Sequence, residues 1–150
     1  MASVRVLGLD IGARRIGLAL SDPEGRIAFP EGHLDRRGPR RDMEAFRALI
    51  AEREVGTIVV GLPLHLDGRS GAAAQSARDF AVRIGEATGL PVELIDERWT
   101  TVEAERHLRS SGRRTVERHG RGTVDAVAAT LLLSAYLARR RALAESGDPA

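Results

Sequence analysis

Three observations predict an α/β fold with a mixed five-stranded sheet flanked by helices. Three short apolar runs lie close together at the start of the chain, with only turn-length breaks between them. Two further apolar runs each follow a segment of helical spacing, and a long apolar helix comes last. With 150 residues, 43% of them hydrophobic, the chain can bury roughly two thirds of its unfolded surface. Residues 1–144 are expected to form a single domain, with 145–150 a disordered tail.

Residues 4–10 (VRVLGLD) and 16–20 (IGLAL) are rich in branched apolar side chains and are joined by a turn containing Gly12. Residues 26–33 (RIAFPEGH) form a poorer third strand after the turn sequence Asp22-Pro23-Glu24-Gly25. Such short breaks predict three antiparallel strands. From Asp42 to Glu54, Met43, Phe46, Leu49 and Ile50 share one helical face, and TIVVGLP (57–63) reads as a strand covered on both sides. Ala77, Phe80, Ala81 and Ile84 repeat the helical spacing across Ala74 to Thr88, with Gly89 placed to end that helix. PVELIDE (91–97) is the fifth strand. Thr100 and Glu103 make a capping box for a short helix to about Ser110. SSGRRTVERHGRG (110–122) is a polar, mobile segment, and Thr123 can cap a final helix to about Arg141. That helix is apolar nearly all round as far as Leu137, which predicts a central position.

The chain has no Cys, so it carries no disulfide, thiol redox centre or thiolate metal site. Its start lacks the pattern of a signal peptide, and no run approaches ~20 apolar residues. A soluble, cytoplasmic protein with no membrane partner is expected. All 23 basic residues are Arg; because this holds along the whole chain, the Arg count itself is no evidence of phosphate recognition. Placement is more informative. Between Arg98 and Arg121 seven Arg face only three Glu in a chain of net charge +2, and a local cationic stretch suits a polyanion or, equally, a solvated loop.

Three acids occupy places where a carboxylate is expensive. Asp10 ends the first strand, Glu97 ends the fifth, and Asp125 falls in the first turn of the last helix. The C-terminal edges of neighbouring parallel strands converge, which would bring Asp10 and Glu97 together with Asp125 above them. Three carboxylates in one place call for a cation, and hard oxygen ligands without His or Cys favour Mg²⁺ or Mn²⁺. Each acid also has a plainer reading: Asp125 as a partner of the helix dipole, Asp10 as a cap on the Gly12 turn, Glu97 as an ion-pair partner of Arg98. Small residues weigh against those readings, with Ala126, Ala128 and Ala129 around Asp125 and Gly8 and Gly12 flanking Asp10. Strand alternation lets only one of Asp96 and Glu97 face the cluster, and Glu97 is the choice. Asp67, in an Asp-Gly turn, is a further candidate. The four His (33, 65, 107, 119) show no metal-ligand spacing.

The sequence resembles the YqgF/RuvX family of Holliday junction resolvase-like proteins over roughly residues 4–140. The likeness rests on GLDIGARRIGLALSD (8–22), VVGLPLHLDG (59–68), DERWTT (96–101) and TVDAVAATLLL (123–133), in order. The resemblance implies a ribonuclease H-like fold and a divalent-metal-dependent nuclease that matures the 5′ end of 16S ribosomal RNA. Its acids match Asp10, Glu97 and Asp125, which would serve as both catalytic residues and ligands to Mg²⁺ or Mn²⁺. Two metal ions would then activate water and stabilise the leaving oxygen, with no side-chain nucleophile. Arg14, Arg15, Arg98, Arg113, Arg114, Arg118 and Arg121 would neutralise phosphates, which positions a strand without reading its sequence. Trp99 is the one strong base-stacking candidate, with half-buried packing as its competing reading. Two departures touch the substrate path: His65 and Leu66 stand where the family commonly has Asn and Met, and Arg replaces Lys at basic positions.

Partners implied are single-stranded or structured RNA, branched DNA as the alternative, and a pre-ribosomal particle, with the chain a monomer or homodimer. A junction resolvase, which needs two sites and hence a dimer, is the runner-up. A non-catalytic ribosome-assembly factor on the same scaffold is a third reading. Asp-Ile-Gly also resembles the first phosphate loop of actin-like kinases, but those need a second domain and a second Gly-rich loop.

Overall fold

The computed structural model describes residues 5–64, 68–99 and 121–145. Five strands form one sheet: β1 (Arg5–Ile11), β2 (Arg15–Ser21), β3 (Ala28–Asp35), β4 (Val55–Leu62) and β5 (Val92–Asp96), in the order β3-β2-β1-β4-β5. β1, β2 and β3 are antiparallel neighbours, whereas β1, β4 and β5 run parallel. Helices α1 (Pro39–Arg53) and α2 (Ala72–Thr88) supply the crossovers, a short 3₁₀ turn spans Glu97–Trp99, and α3 (Arg121–Glu145) crosses the sheet.

Each strand divides its side chains by alternation. Leu7, Leu9, Ile16, Leu18, Leu20, Ile58, Val60 and Leu62 face α1 and α2, and meet the predicted Met43, Phe46, Ala77, Phe80, Ala81 and Ile84. Phe46 and Phe80 pack edge to face at 5.8 Å, an arrangement worth about 1 kcal/mol beyond area burial. On the other side Val6, Ala19, Val59 and Ile95 meet Ala129, Leu132, Leu133, Ala135 and Leu137 of α3.

Boundaries differ from the sequence reading by a few residues. Glu97 is not in the fifth strand but opens the 3₁₀ turn after it. α1 starts three residues early because Pro39 suits a helix's first position, and Gly89 ends α2 at φ 73° as expected. The largest change is at α3. Arg121 and Gly122, read as loop, are helical, so Thr123 lies inside the helix and Asp125 beyond its first turn. Nor is α3 buried all round: one face covers the sheet while Val124 and Ala128 are exposed. The short helix at 100–110 and the segment 110–120 lie outside the described residues, as do 146–150. No described helix is long and apolar enough to cross a membrane.

Candidate functional site

The face under α3 is made of small residues where the acids stand. Asp10, next to last in β1, pairs across the ladder with Gly17 of β2. On its other side, one step past the pair Leu9 and Val60, lies Gly61 of β4. Both glycines are required by close approach. A Cβ on Gly17 would overlap the backbone carbonyl of Asp125, whose carbon would be 2.7 Å away. A Cβ on Gly61 would strike Leu132 and stand 2.5 Å from Glu97 Oε1. The two glycines therefore seat Asp125 and Glu97 on either side of Asp10.

Gly8 and Gly12, the glycines that the sequence singled out, do other work. Gly8 lets Leu133 of α3 approach β1, at 3.0 Å from a notional Cβ, and Gly12 closes the β1–β2 turn by donating its N–H to the Arg15 carbonyl at 2.9 Å. The Arg36 guanidinium donates to the Gly12 carbonyl at 2.9 Å, and the Arg36 N–H to the Arg14 carbonyl at 2.8 Å. That clamp steadies the turn following Asp10. Of the small residues around Asp125, Ala126 and Ala129 are buried in the contact and Ala128 is not.

Glu97 and Asp10 are joined directly. Burial, a hydrogen bond to Asp10 and repulsion from Asp10 and Asp96 push the Glu97 carboxyl up to about 8. Glu97 thus keeps a proton at neutral pH and donates it to Asp10. Asp96 is engaged elsewhere, so only one of the two neighbouring acids joins Asp10. It accepts from the Arg98 N–H at 2.9 Å and from the Arg98 guanidinium at 2.6 Å, which holds its carboxyl below the usual range. Arg98, expected to meet phosphate, is therefore the partner of Asp96.

Asp125 is held differently. Arg15 Nε lies 3.2 Å from its Oδ2, with both side chains partly exposed, yet the N–H is not aligned for a hydrogen bond and that buried oxygen has no hydrogen-bond partner. Arg15 was expected at a phosphate; the structure sets it against a carboxylate. Among the described residues no three His, Asp or Glu side chains stand close enough to form a metal-holding group. The structure thus joins two of the three predicted acids and leaves the third on the same face, bound to Arg15.

The donor chemistry nevertheless suits a hard divalent cation. Asp10 and Glu97 supply oxygens that share one proton, and Asp125 Oδ2 is a buried acceptor left without a donor. Arg14 is exposed on the β1–β2 turn. Arg113, Arg114 and Arg118, with His65, Asp67, His107 and His119, lie outside the described residues, as do the side chains of Trp99 and Arg121. His33 pairs with Asp35 at 3.4 Å and stands in the same cross-strand row as Asp10, opposite Gly17.

Residues 4–139 match the family described as RuvX, Holliday junction resolvase. A protein of Anaeromyxobacter sp. (strain Fw109-5) named "Putative pre-16S rRNA nuclease" is 49% identical over 93% of this chain and 100% of its own length. One of the same name from Crocosphaera subtropica is 43% identical over 95% and 98%. Among solved structures, T. thermophilus RuvC in complex with Holliday junction substrate superposes with a TM-score of 0.60 at 17% identity, covering 92% of this chain and 96% of that one. Fowlpox virus resolvase with Holliday junction DNA gives 0.58 at 8%, covering 91% and 99%. At such identities these two establish the fold, which is ribonuclease H-like. The match across nearly the whole chain, together with the sequence relatives, places this protein in the RuvX family.

Proposed function

We propose that this protein is a divalent-metal-dependent endonuclease that hydrolyses RNA phosphodiesters and matures the 5′ end of pre-16S ribosomal RNA. The observation that carries the reading is the Asp10–Glu97 pair: two carboxyls hydrogen-bonded to each other on the sheet face that also carries Asp125, whose buried Oδ2 accepts no hydrogen bond. Such an arrangement is costly without a cation and a job to go with it. The names of the sequence relatives supply the substrate class.

Asp10, Glu97 and Asp125 would hold the metal. Bound there, one or two Mg²⁺ or Mn²⁺ ions supply Lewis acidity for the scissile phosphate and the attacking water. The chain's own residues do the rest. Glu97 would give up its proton so that all three acids present anionic oxygens, while Gly17 leaves room for the Asp125 backbone against β2 and Gly61 for the Glu97 side chain. Arg14 and the Arg113, Arg114, Arg118 and Arg121 segment would neutralise the RNA backbone and set its register, and Trp99 would offer a stacking face.

The test is cleavage of labelled RNA carrying a 16S precursor end, beside a four-way DNA junction, with Mn²⁺, Mg²⁺ or EDTA. Metal-dependent cutting of the RNA that disappears in Asp10→Asn is the expected result. Cutting of the junction alone would make the protein a resolvase. Binding without cutting of either substrate would make it an assembly factor.

A further inference from the structure

We propose that Arg15 is an internal counter-ion that keeps Asp125 out of the metal-binding set until a cation displaces it, whereupon the freed guanidinium meets a substrate phosphate. The inference rests on the metal-nuclease reading of Asp10, Glu97 and Asp125, and it assigns Arg15 two successive partners. Four observations carry it. Arg15 Nε stands 3.2 Å from Asp125 Oδ2. The same oxygen is buried and accepts no hydrogen bond, so the pair is a charge contact that leaves the acceptor unsatisfied. The three acids do not close into a metal-holding group while this pair stands. Finally, the pair is partly exposed, at 40% for Arg15 and 30% for Asp125, so it is screened by water and cheap to break.

A guanidinium and a dication compete for one carboxylate, because each repels the other at contact distance. In the absence of metal Arg15 offsets part of the anionic charge, a task the Asp10–Glu97 pair meets by sharing a proton. When metal arrives, both devices give way. Arg15 begins β2, directly after the exposed turn that carries Arg14, so its side chain can swing from the carboxylate toward solvent without any movement of the sheet. Metal loading and grip on the substrate are thereby coupled through one side chain. Arg15 acts here as a positioning residue for Asp125.

The experiment is calorimetric titration of the full chain with Mn²⁺ and with Mg²⁺, without nucleic acid, for wild type, Arg15→Gln, Arg15→Lys and Asp10→Asn. Loss of the competing charge should tighten metal binding by about two- to fivefold in Arg15→Gln, the scale of a partly exposed ion pair, with Arg15→Lys between it and wild type. An Arg15 that only braces the fold would leave affinity equal or weaker in Arg15→Gln, and that result overturns the proposal. Asp10→Asn separates the two ideas: if it binds metal as wild type does, the three-acid metal site fails and Arg15's role fails with it. If Asp10→Asn weakens binding and Arg15→Gln does not tighten it, only the counter-ion proposal falls. Should Arg15→Gln not fold, the wild-type Arg15 Nε–H resonance decides. It should shift, and exchange faster with water, as Mg²⁺ saturates the protein; an unmoved signal overturns the proposal.

Discussion

The two faces of the sheet are built by opposite rules. Toward α1 and α2 the strands present Leu, Ile and Val against Phe46 and Phe80, a thick apolar layer in which, among the described residues, Asp42 at the start of α1 is the one buried acid. Toward α3 they present Val6, Ala19, Val59 and Ile95 together with Gly8, Gly17 and Gly61, and the space at those glycines is taken by Leu133, by the Asp125 backbone, and by Leu132 and Glu97. Large side chains bury area and stabilise; small ones bring backbones close and so bring charged groups close. One layer of helix is packed on large side chains, while the other comes close enough to the sheet to bring Asp125 over the strand that follows Asp10.

If that division is right, substitutions on the two faces should fail in different ways. Asp10→Asn should lower cleavage on the order of 10³-fold, the scale of losing one electrostatic group from an active site, as measured by single-turnover kinetics. Its melting temperature should hold or rise, because without the Asp10 charge Glu97 is less strongly driven to take up a proton on folding. Phe80→Ala should do the reverse. It removes a buried ring packed on Phe46 and should cost about 3–5 kcal/mol in denaturant unfolding, leaving activity per folded molecule unchanged.

Gly17→Ala is the sharpest probe, since its new methyl must push the Asp125 carbonyl aside. A cost of about 1–3 kcal/mol should come with a loss of activity, unlike the Phe80 change, because α3 cannot lift without carrying Asp125 away from Asp10. The smallest effect should be on pH dependence without metal. Folded Glu97 holds its proton up to about 8 while the unfolded chain releases it near 4.5, so the native state binds more protons across that window. Stability should therefore fall as pH rises through it, by about 1–2 kcal/mol after allowing for solvent screening, and Glu97→Gln should flatten the slope. Metal affinity should move the opposite way, strengthening up to about pH 8 as the proton that the ion must displace is lost.

Periodicity made the α1 and α2 face legible: of the residues identifiable from spacing alone, Met43, Phe46, Ala77, Phe80, Ala81 and Ile84 are buried, and Leu49 and Ile50 are partly buried against the same core. The pairing of two acids was anticipated as well, because an acid at the end of an apolar strand stands out; alternation allowed only one of Asp96 and Glu97 to join Asp10, and the fold shows that it is Glu97. What was not legible depends on cross-strand neighbours. Gly17 sits in an ordinary apolar run, and only the pairing of β1 with β2 shows that it lies beside Asp10 under Asp125. Local signals pointed to Gly8 and Gly12 instead. Likewise, Arg15 and Arg98 look like any surface cation in sequence, and only the fold shows their carboxylate partners. The start of α3 was missed because Arg121-Gly122 is poor helix sequence whose conformation is set by the packing that follows.

The pairing of Asp10 with flanking glycines has a genetic consequence. Gly17 and Gly61 carry no reactive atom, yet any side chain there collides with Asp125 or with Leu132 and Glu97. Loss-of-function alleles at these two codons would be indistinguishable by phenotype from alleles of the acids themselves. A survey of natural variation that weighs only charged positions would pass over them, and a search for distant relatives would gain specificity by demanding the glycines along with the acids.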